Sequence, residues 1–143
     1  CPKGDDPLTS FTDYSVRVLT YAALKKNELA SIREVSEVYG ISSNHLMKVI
    51  HHLGKGNYLE TIRGKNGGFR LARDPKDISI GELIRYAEDD LALINSNAKN
   101  TDQNEKVSFN AIVEQALGSF IATVDNYTLA DLVEGQTLTN FLD

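Results

Sequence analysis

Apolar positions recur with a helical period at the start of this chain. In the run FTDYSVRVLTYAAL, which begins at Phe11, Val16 and Leu19 fall on one helical face. We expect a first helix here, with Thr12 or Asp13 capping its start, because short side chains with an oxygen accept hydrogen bonds from the free N–H groups at that end. The polar run KKNE then ends the pattern.

Two further helices joined by a glycine are predicted after residue 30. Ser31 begins the first of them, and Glu34, three residues later, supplies the partner of a capping box. Gly40 marks the bend, because glycine adopts a positive φ without strain. Ser36 is small enough for the two helices to cross closely. This spacing is typical of a helix-turn-helix.

The second of these helices has one apolar and one polar face. It begins after Ser42 or Ser43, and its apolar residues are Leu46, Val49, Ile50 and Leu53. The other face carries polar side chains suited to base edges and phosphates: Ser43, Asn44, His45, Lys48 and either His51 or His52. A recognition helix fits this pattern. A plain helical hairpin with a solvated polar face fits it as well.

A β-hairpin is predicted directly after the helix-turn-helix. The runs YLETIR and FRLAR contain strand-forming residues and are joined by a glycine-rich turn within RGKNGGFR. A helix-turn-helix followed by a hairpin with a basic tip indicates a winged helix. The glycines let the backbone approach a sugar–phosphate surface, and Arg63, Lys65 and Arg70 supply charge that displaces counterions.

The remainder of the chain predicts two more helices separated by a polar segment. Ser79 caps the run ISIGELIRYAEDD, and residues 95–108 show neither a helical nor a strand period. From Phe109 to Val124 an apolar stripe recurs that is too wide for the small preceding core to cover. We therefore expect this last helix to form a homodimer, because an apolar face left in water is unfavourable.

These patterns divide the chain into four segments. We expect a leader or expression remnant at 1–7, a winged helix-turn-helix DNA-binding domain at 8–94, a flexible loop at 95–108, and a dimerisation helix with a C-terminal tail at 109–143. The predicted fold class is mainly α with a small β-hairpin, ending in a long C-terminal dimerisation helix.

The distribution of charge supports a polyanionic partner. The net charge of the chain is −5, yet residues 42–76 hold seven Lys or Arg and two Asp or Glu, a net charge of +5. Such asymmetry between segments is typical of proteins that bind nucleic acid at one end. No apolar run approaches the roughly 18 to 20 residues of a membrane span, so we expect no membrane partner.

Other chemistry finds little support in the sequence. Cys1 is the only cysteine, which excludes an internal disulfide and a cysteine metal knuckle. The glycine runs lack the spacing of a nucleotide-binding loop. No carboxylate or cysteine lies at ligand spacing from His45, His51 or His52. We expect neither an enzyme nor a metal site.

Four stretches together resemble the Rrf-type family of winged helix-turn-helix transcription regulators, and within it the nitrite-sensitive, nitric-oxide-responsive repressors. These stretches are LTSFTDYSVRVLTYAAL, ISSNHLMKVIHHLG, YLETIRGKNGGFRLARDPKDISIGELIRYAEDD and FIATVDNYTLADL. The resemblance extends from Leu8 to about Val133. It implies a dimeric, cytoplasmic bacterial regulator whose recognition helix enters the major groove and whose wing reaches the minor groove of double-stranded promoter DNA.

The same resemblance implies which residues contact DNA. Those on the recognition helix are Ser42, Ser43, Asn44, His45 and Lys48, and those in the wing are Arg63, Gly64, Lys65, Asn66 and Gly67. The basic hairpin adds Arg70 to this set. The helix from Phe109 to Val124 corresponds to the dimerisation helix of the family.

The nitrite-sensitive members of the family imply an iron–sulfur cluster, which this sequence does not match. Their cluster is held by three cysteines between the last two helices, with an acidic residue near the first helix as a fourth ligand, to which Asp13 corresponds. Residues 95–108 contain no cysteine. Ser96 lies near one expected position, but a hydroxyl is a poor substitute for a soft thiolate. We expect no cofactor, and Asp13 as an ordinary residue of the helix start.

The sequence thus predicts a homodimeric, DNA-binding transcription regulator without a cluster, acting as a repressor. The alternative is a paralogue that does not bind DNA and pairs with a cluster-bearing relative. The basic wing argues against this alternative, because such a partner has no need of the charge. A small ligand, a partner protein or no signal at all fits the sequence equally well.

Overall fold

Helices dominate the chain, with one hairpin among them, in a computed structural model that describes residues 9–88 and 107–136. In chain order the elements are α1 (Ser10–Lys25), α2 (Ile32–Tyr39), α3 (Ser43–Lys55), β1 (Leu59–Ile62), β2 (Gly68–Leu71), a 3-10 turn (Pro75–Asp77), α4 (Ile80–Ala87), α5 (Phe109–Val124) and α6 (Leu129–Val133). The predicted fold, mainly α with a small β-hairpin, is confirmed. The leader at 1–7 and most of the loop at 95–108 lie outside the described residues.

Helix α1 begins earlier than predicted. Its cap is Thr9, whose side chain accepts a hydrogen bond from the Thr12 N–H. The expectation that Thr12 or Asp13 caps the helix was therefore wrong. Both residues lie inside the first turns: Thr12 is fully buried, and Asp13 forms an ion pair with Arg17 at 2.8 Å.

The helix-turn-helix forms as its local sequence predicts. Ser31 and Glu34 make both bonds of the capping box. Gly40 takes φ +67° at the end of α2, a conformation that a side chain would strain. The Ser36 hydroxyl donates to the Ile41 carbonyl at 2.7 Å, so the small residue at the crossing also holds the turn. Ser42 caps α3.

The core lies between α1, α3 and the hairpin. Helix α1 contacts α3, β2, α4 and α6, which makes it the central element of the domain. The fully buried side chains include Val18, Leu19, Val35, Leu46, Leu53, Phe69, Ile78 and Leu83. These apolar residues come from α1, α2, α3, the hairpin, α4 and the segment just before α4. The helix-turn-helix and the hairpin therefore share one core.

The hairpin is antiparallel, and a third segment holds its outer edge. Leu59 lies opposite Leu71, and Ile62 lies opposite Gly68. Ala30, just before α2, exchanges two backbone hydrogen bonds of 2.8 Å with Phe69. Because a Cβ on Gly68 would overlap the Ala30 carbonyl oxygen, glycine is needed for this close approach. The connection between α1 and α2 thereby positions the hairpin.

The C-terminal helices pack against the winged domain, α5 against α4 and α6 against α1 and the 3-10 turn. Arg85 on α4 forms an ion pair with Asp125, the residue after α5, at 2.6 Å. Leu129 on α6 is fully buried, and its N–H donates to the Ile78 carbonyl at 2.9 Å. Helix α5 has the predicted bounds, and its outer residues are exposed, among them Phe109 at 78%. The predicted homodimer through this helix stays a prediction.

Candidate nucleic-acid interface

The recognition helix α3 presents one polar face to the surface. Four apolar residues, Leu46, Val49, Ile50 and Leu53, hold its other face in the core. All the helix residues predicted to contact DNA are exposed: Ser42, Ser43, Asn44, His45 and Lys48. The Ser42 hydroxyl accepts a hydrogen bond from the His45 N–H at 3.2 Å, which fixes the N-terminal turn of this face.

The three histidines of α3 occupy different environments. His51 is exposed, so it belongs to the outer polar face, whereas His52 is partly buried. The His52 ring stacks on the Tyr86 ring, with centroids 4.2 Å apart, and meets the edge of Phe11 at 5.2 Å. His45 lies 6.2 Å from the Tyr14 ring, on the side of α3 that faces α1. The structure thereby resolves the sequence ambiguity between His51 and His52.

The tip of the hairpin, residues 63–67, is a tight turn with an exposed basic surface. We call it the wing tip. The Gly67 N–H donates to the Gly64 carbonyl at 3.0 Å, and Gly64 takes φ +108°. Arg63, Lys65 and Asn66 are exposed. Within residues 9–88 and 107–136 neither Arg63 nor Lys65 forms an ion pair, so both charges are available to a phosphate.

Arg70 lies apart from the wing tip. It occupies β2 directly opposite Glu60 on β1, and its guanidinium donates to that carboxylate through Nε at 3.2 Å and Nη2 at 3.4 Å. The cross-strand pair is largely exposed and contributes little to stability. Its acidic partner offsets the charge that the sequence assigned to the wing.

The wing tip and α3 flank a common groove. The groove has a volume of about 300 Å³ and is lined by Ile50 of α3, Ile62, Gly64 and Gly67 of the hairpin, and Ser31 at the start of α2. One side of α3 therefore faces the wing, and the opposite side faces α1. Gly64 and Gly67 are the predicted DNA contacts that line this groove, while those of α3 lie on the exposed face of the helix.

A polar cluster holds the base of the hairpin. The Tyr58 hydroxyl and the Arg73 guanidinium both donate to the Glu82 carboxylate at 2.7 Å, and Arg73 also lies 4.5 Å from the centre of the Tyr58 ring. Burial and the bond to Glu82 raise the pKa of Tyr58. The bond from Arg73 lowers the pKa of Glu82. The cluster joins both ends of the hairpin to α4.

Glu88 is a buried carboxylate that the sequence reasoning missed. Its side chain accepts from the Thr9 N–H at 2.9 Å, the Thr9 hydroxyl at 2.6 Å and the Thr12 hydroxyl. Burial favours its neutral form, but the bonds from Thr12 and Thr9 outweigh this effect, so the pKa of Glu88 lies below its usual value. The end of α4 is thereby tied to the start of α1.

The described residues offer no alternative site of metal chemistry. Among residues 9–88 and 107–136, no three His, Cys, Asp or Glu side chains gather in a way that could hold a metal ion. Over the same residues, no helix combines the length and apolar character needed to cross a membrane. The exposed α3 face and the wing tip are the candidate site that the geometry supports.

One protein-family sequence model matches most of the chain. The model described as "Rrf2: Iron-dependent Transcriptional regulator" matches residues 8–135. The chain is 44% identical over 133 residues to the HTH-type transcriptional regulator NsrR of Bacillus subtilis, covering 90% of this chain and 91% of that protein. It is 43% identical over 130 residues to the NsrR regulator of Shouchella clausii, covering 88% and 87% of the two chains.

Solved structures show the same fold. The structure "T. potens IscR" superposes with a TM-score of 0.72 at 25% identity, covering 92% of this chain and 88% of that chain. CymR, the global cysteine regulator of B. subtilis, superposes with a TM-score of 0.73 at 19% identity, covering 90% and 96%. The winged-helix arrangement is therefore shared by proteins that differ widely in sequence.

Proposed function

Because the chain belongs to the Rrf2 family of transcriptional regulators, we propose that it is a homodimeric repressor that binds a palindromic DNA operator without the help of an iron–sulfur cluster. The observation that carries this proposal is the open surface formed by α3 and the wing tip. The polar side chains of α3 are exposed there, and Arg63 and Lys65 are exposed in the turn of the hairpin, with no ion pair to any other residue that the structure describes.

Each part of this surface has a distinct role in the proposal. Asn44 and His45, near the start of α3, contact base edges, because the first turns of a recognition helix lie deepest in the major groove. Lys48, Arg63 and Lys65 contact phosphates and displace counterions. Gly64, Asn66 and Gly67 form the thin turn that enters the minor groove. Ser42 and Ser43, at the start of α3, donate hydrogen bonds to the phosphates of the DNA backbone.

The dimer in this proposal uses α5. Val107, Phe109 and Ile112 are 80%, 78% and 53% exposed, and they lie within six residues of one another. A concentration of exposed apolar side chains of this kind marks a protein interface. Two copies related by a two-fold axis would present two α3 helices to two half-sites of one operator. Occupation of a promoter by such a dimer in the bacterial cytoplasm accounts for repression.

The residues of this chain do not fit a cysteine-ligated cluster. Iron–sulfur clusters are held by several thiolates, and the chain has one cysteine, Cys1, with none in residues 95–108. Asp13 corresponds to an acidic ligand position of the nitrite-sensitive members, and its carboxylate is engaged by Arg17 at 2.8 Å. The proposed regulation therefore rests on the protein surface and not on a cluster. The alternative, a paralogue that pairs with a cluster-bearing relative and does not bind DNA, would have no need of the basic charge in the wing. The exposed Arg63 and Lys65 therefore weigh against it.

Selection of an operator from random duplex DNA, followed by titration of variants, tests this function. We expect Asn44→Ala combined with His45→Ala to lose sequence preference. Lys65→Ala should weaken binding to all sequences alike and reduce the salt slope by about 1. Lys76→Ala, a matched loss of charge on the exposed 3-10 turn, serves as the control. Binding that survives the combined loss of Asn44, His45 and Lys65 would contradict the proposal.

A further inference from the structure

One exposed side chain on α3 is apolar. Met47 is 56% exposed, while the other large apolar residues of α3 are at most 5% exposed. Its neighbour Leu46 is fully buried in the core, whereas Met47 points away from it. Packing of the core therefore does not require a methionine at position 47. A singly exposed apolar residue is common on protein surfaces. This one lies on the helix face proposed to contact DNA, on its wing side.

Helix geometry places Met47 beside Asn44, one of the two proposed base contacts. With 3.6 residues per turn, Met47 lies one turn from Ser43 and from His51, and three residues from Asn44, so all four share a surface. Ile50, three residues further on, lines the groove beside the wing tip. His45 faces Tyr14 on α1. Met47 therefore lies on the wing side of α3, next to Asn44.

The chemistry of the major groove suggests what a methionine would contact there. Base edges in that groove present hydrogen-bond donors and acceptors, with one apolar feature, the C5-methyl group of thymine. A thioether has no donor and only a weak acceptor. Its unbranched, polarisable chain adapts to an apolar partner. Neither phosphates nor the polar base edges would favour this side chain over its polar neighbours.

We propose that Met47 is a specificity-determining residue that contacts the C5-methyl group of a thymine adjacent to the base contacted by Asn44. This inference rests on the proposed DNA-binding function and adds a preference for thymine at one position of each half-site. The contact is apolar, so it changes which sequence is bound and does not change the number of phosphates that are neutralised.

Replacement of thymine by deoxyuridine tests this contact at the level of one methyl group. In an operator selected with the wild-type protein, each thymine is replaced singly, which removes the methyl group and leaves base pairing intact. We expect wild-type affinity to fall roughly threefold to fivefold at one thymine per half-site, the size expected for one buried carbon. Met47→Ala should bind the thymine operator and the deoxyuridine operator with equal affinity. Met47→Leu should keep the wild-type preference for the thymine operator.

Three controls separate the methyl contact from changes in charge, in apolar surface elsewhere and in folding. The salt slope of binding should be the same for the wild type and Met47→Ala, because no phosphate contact is lost. Leu132→Ala, which truncates a 38% exposed apolar side chain on α6, should leave the thymine preference intact. A melting temperature of Met47→Ala equal to that of the wild type shows that the fold is unchanged.

The outcomes distinguish this inference from the function on which it rests. If the wild type binds its operator but no thymine responds to loss of its methyl group, or if Met47→Ala responds as the wild type does, the methyl contact is refuted and DNA binding stands. If the wild type selects no operator at all, the proposed function fails, and the contact with it.

Discussion

Tyr86 and His52 contact each other in three ways at the C-terminal half of the recognition helix. The Tyr86 hydroxyl donates to the His52 backbone carbonyl at 2.6 Å, and the two rings stack with their centroids 4.2 Å apart. The His52 Nε2 also lies 3.3 Å from the Tyr86 carbonyl oxygen. A residue of α4 thereby fixes both the backbone and a side chain of α3, and α4 becomes part of the support of the candidate interface.

The loss of this hydroxyl should loosen α3 without removing the ring contact. We expect Tyr86→Phe to lower the free energy of unfolding by about 1 kcal/mol, the usual contribution of one hydrogen bond. The cost stays modest because the His52 carbonyl also accepts from the Gly56 N–H at 3.1 Å. Urea unfolding measures the change. Tyr127→Phe, at a tyrosine that is 52% exposed, is the matched control and should be neutral. An equal loss in both variants would contradict a specific role of Tyr86.

The buried Glu88 carboxylate should make the free energy of unfolding depend on pH in the acid range. Its pKa is lowered in the folded protein, because the bonds from Thr12 and Thr9 outweigh the effect of burial. Its ionised form therefore contributes stability that is fully present above pH 4.5, the ordinary value for the carboxyl, and that is lost as the pH falls through the lowered pKa. We expect Glu88→Gln to lose less stability than the wild type over this acid range.

Urea unfolding at a series of pH values measures this difference. The control is Glu134→Gln, which changes an exposed carboxyl after α6 and should follow the wild type. Parallel acid profiles for the wild type and Glu88→Gln would show that Glu88 contributes no such linkage. The neutral-pH stability of Glu88→Gln should be lower than that of the wild type, because a neutral amide accepts weaker hydrogen bonds than a carboxylate.

Local signals in the sequence sufficed for the helix-turn-helix. The capping box of Ser31 and Glu34, the positive φ of Gly40 and the cap at Ser42 depend on residues within a few positions of one another. The bounds of α5 also follow from its own pattern, from Phe109 to Val124. In these elements the chemistry that starts or ends a helix is contained in the segment itself, so the sequence predicts it.

Long-range contacts account for what the sequence did not predict. Thr12 looks like a helix cap, but its hydroxyl donates to Glu88, 76 residues away, and Thr9 caps α1 instead. Arg70 was predicted to contact DNA, and the sequence did not predict that the strand register places it opposite Glu60. Each depends on a partner or a burial state that only the tertiary structure defines.

A side chain at Gly81 should destabilise the fold, because α4 and the end of α5 meet there. A Cβ on Gly81 would overlap the Asp125 carboxylate, whose partner is Arg85, and would lie 3.1 Å from the Asp125 Cα. We expect Gly81→Ala to lower the free energy of unfolding by about 1 to 3 kcal/mol, the usual cost of an overpacked contact. The control is Gly54→Ala on α3, where the nearest atom to an added Cβ lies at 4.0 Å.

Thermal unfolding compares the two glycine variants. Gly54→Ala should be neutral or gain stability, because alanine favours a helix by up to about 1 kcal/mol over glycine. If Gly81→Ala matches Gly54→Ala, the approach of α4 to Asp125 is looser than the structure indicates.

The exposed end of α5 provides the test of the proposed dimer. Phe109 and Ile112 are 78% and 53% exposed in the single chain and would be covered in a pair. We expect Phe109→Glu combined with Ile112→Glu to shift the protein from dimer to monomer in sedimentation velocity, because two buried charges without partners oppose association. Operator binding should weaken together with the dimer, since one half-site alone is contacted. Val38→Glu, on α2 at 37% exposure, introduces one negative charge away from α5 and should stay dimeric. A wild type that sediments as a monomer at all concentrations, or a double variant that stays dimeric, would refute the role of α5.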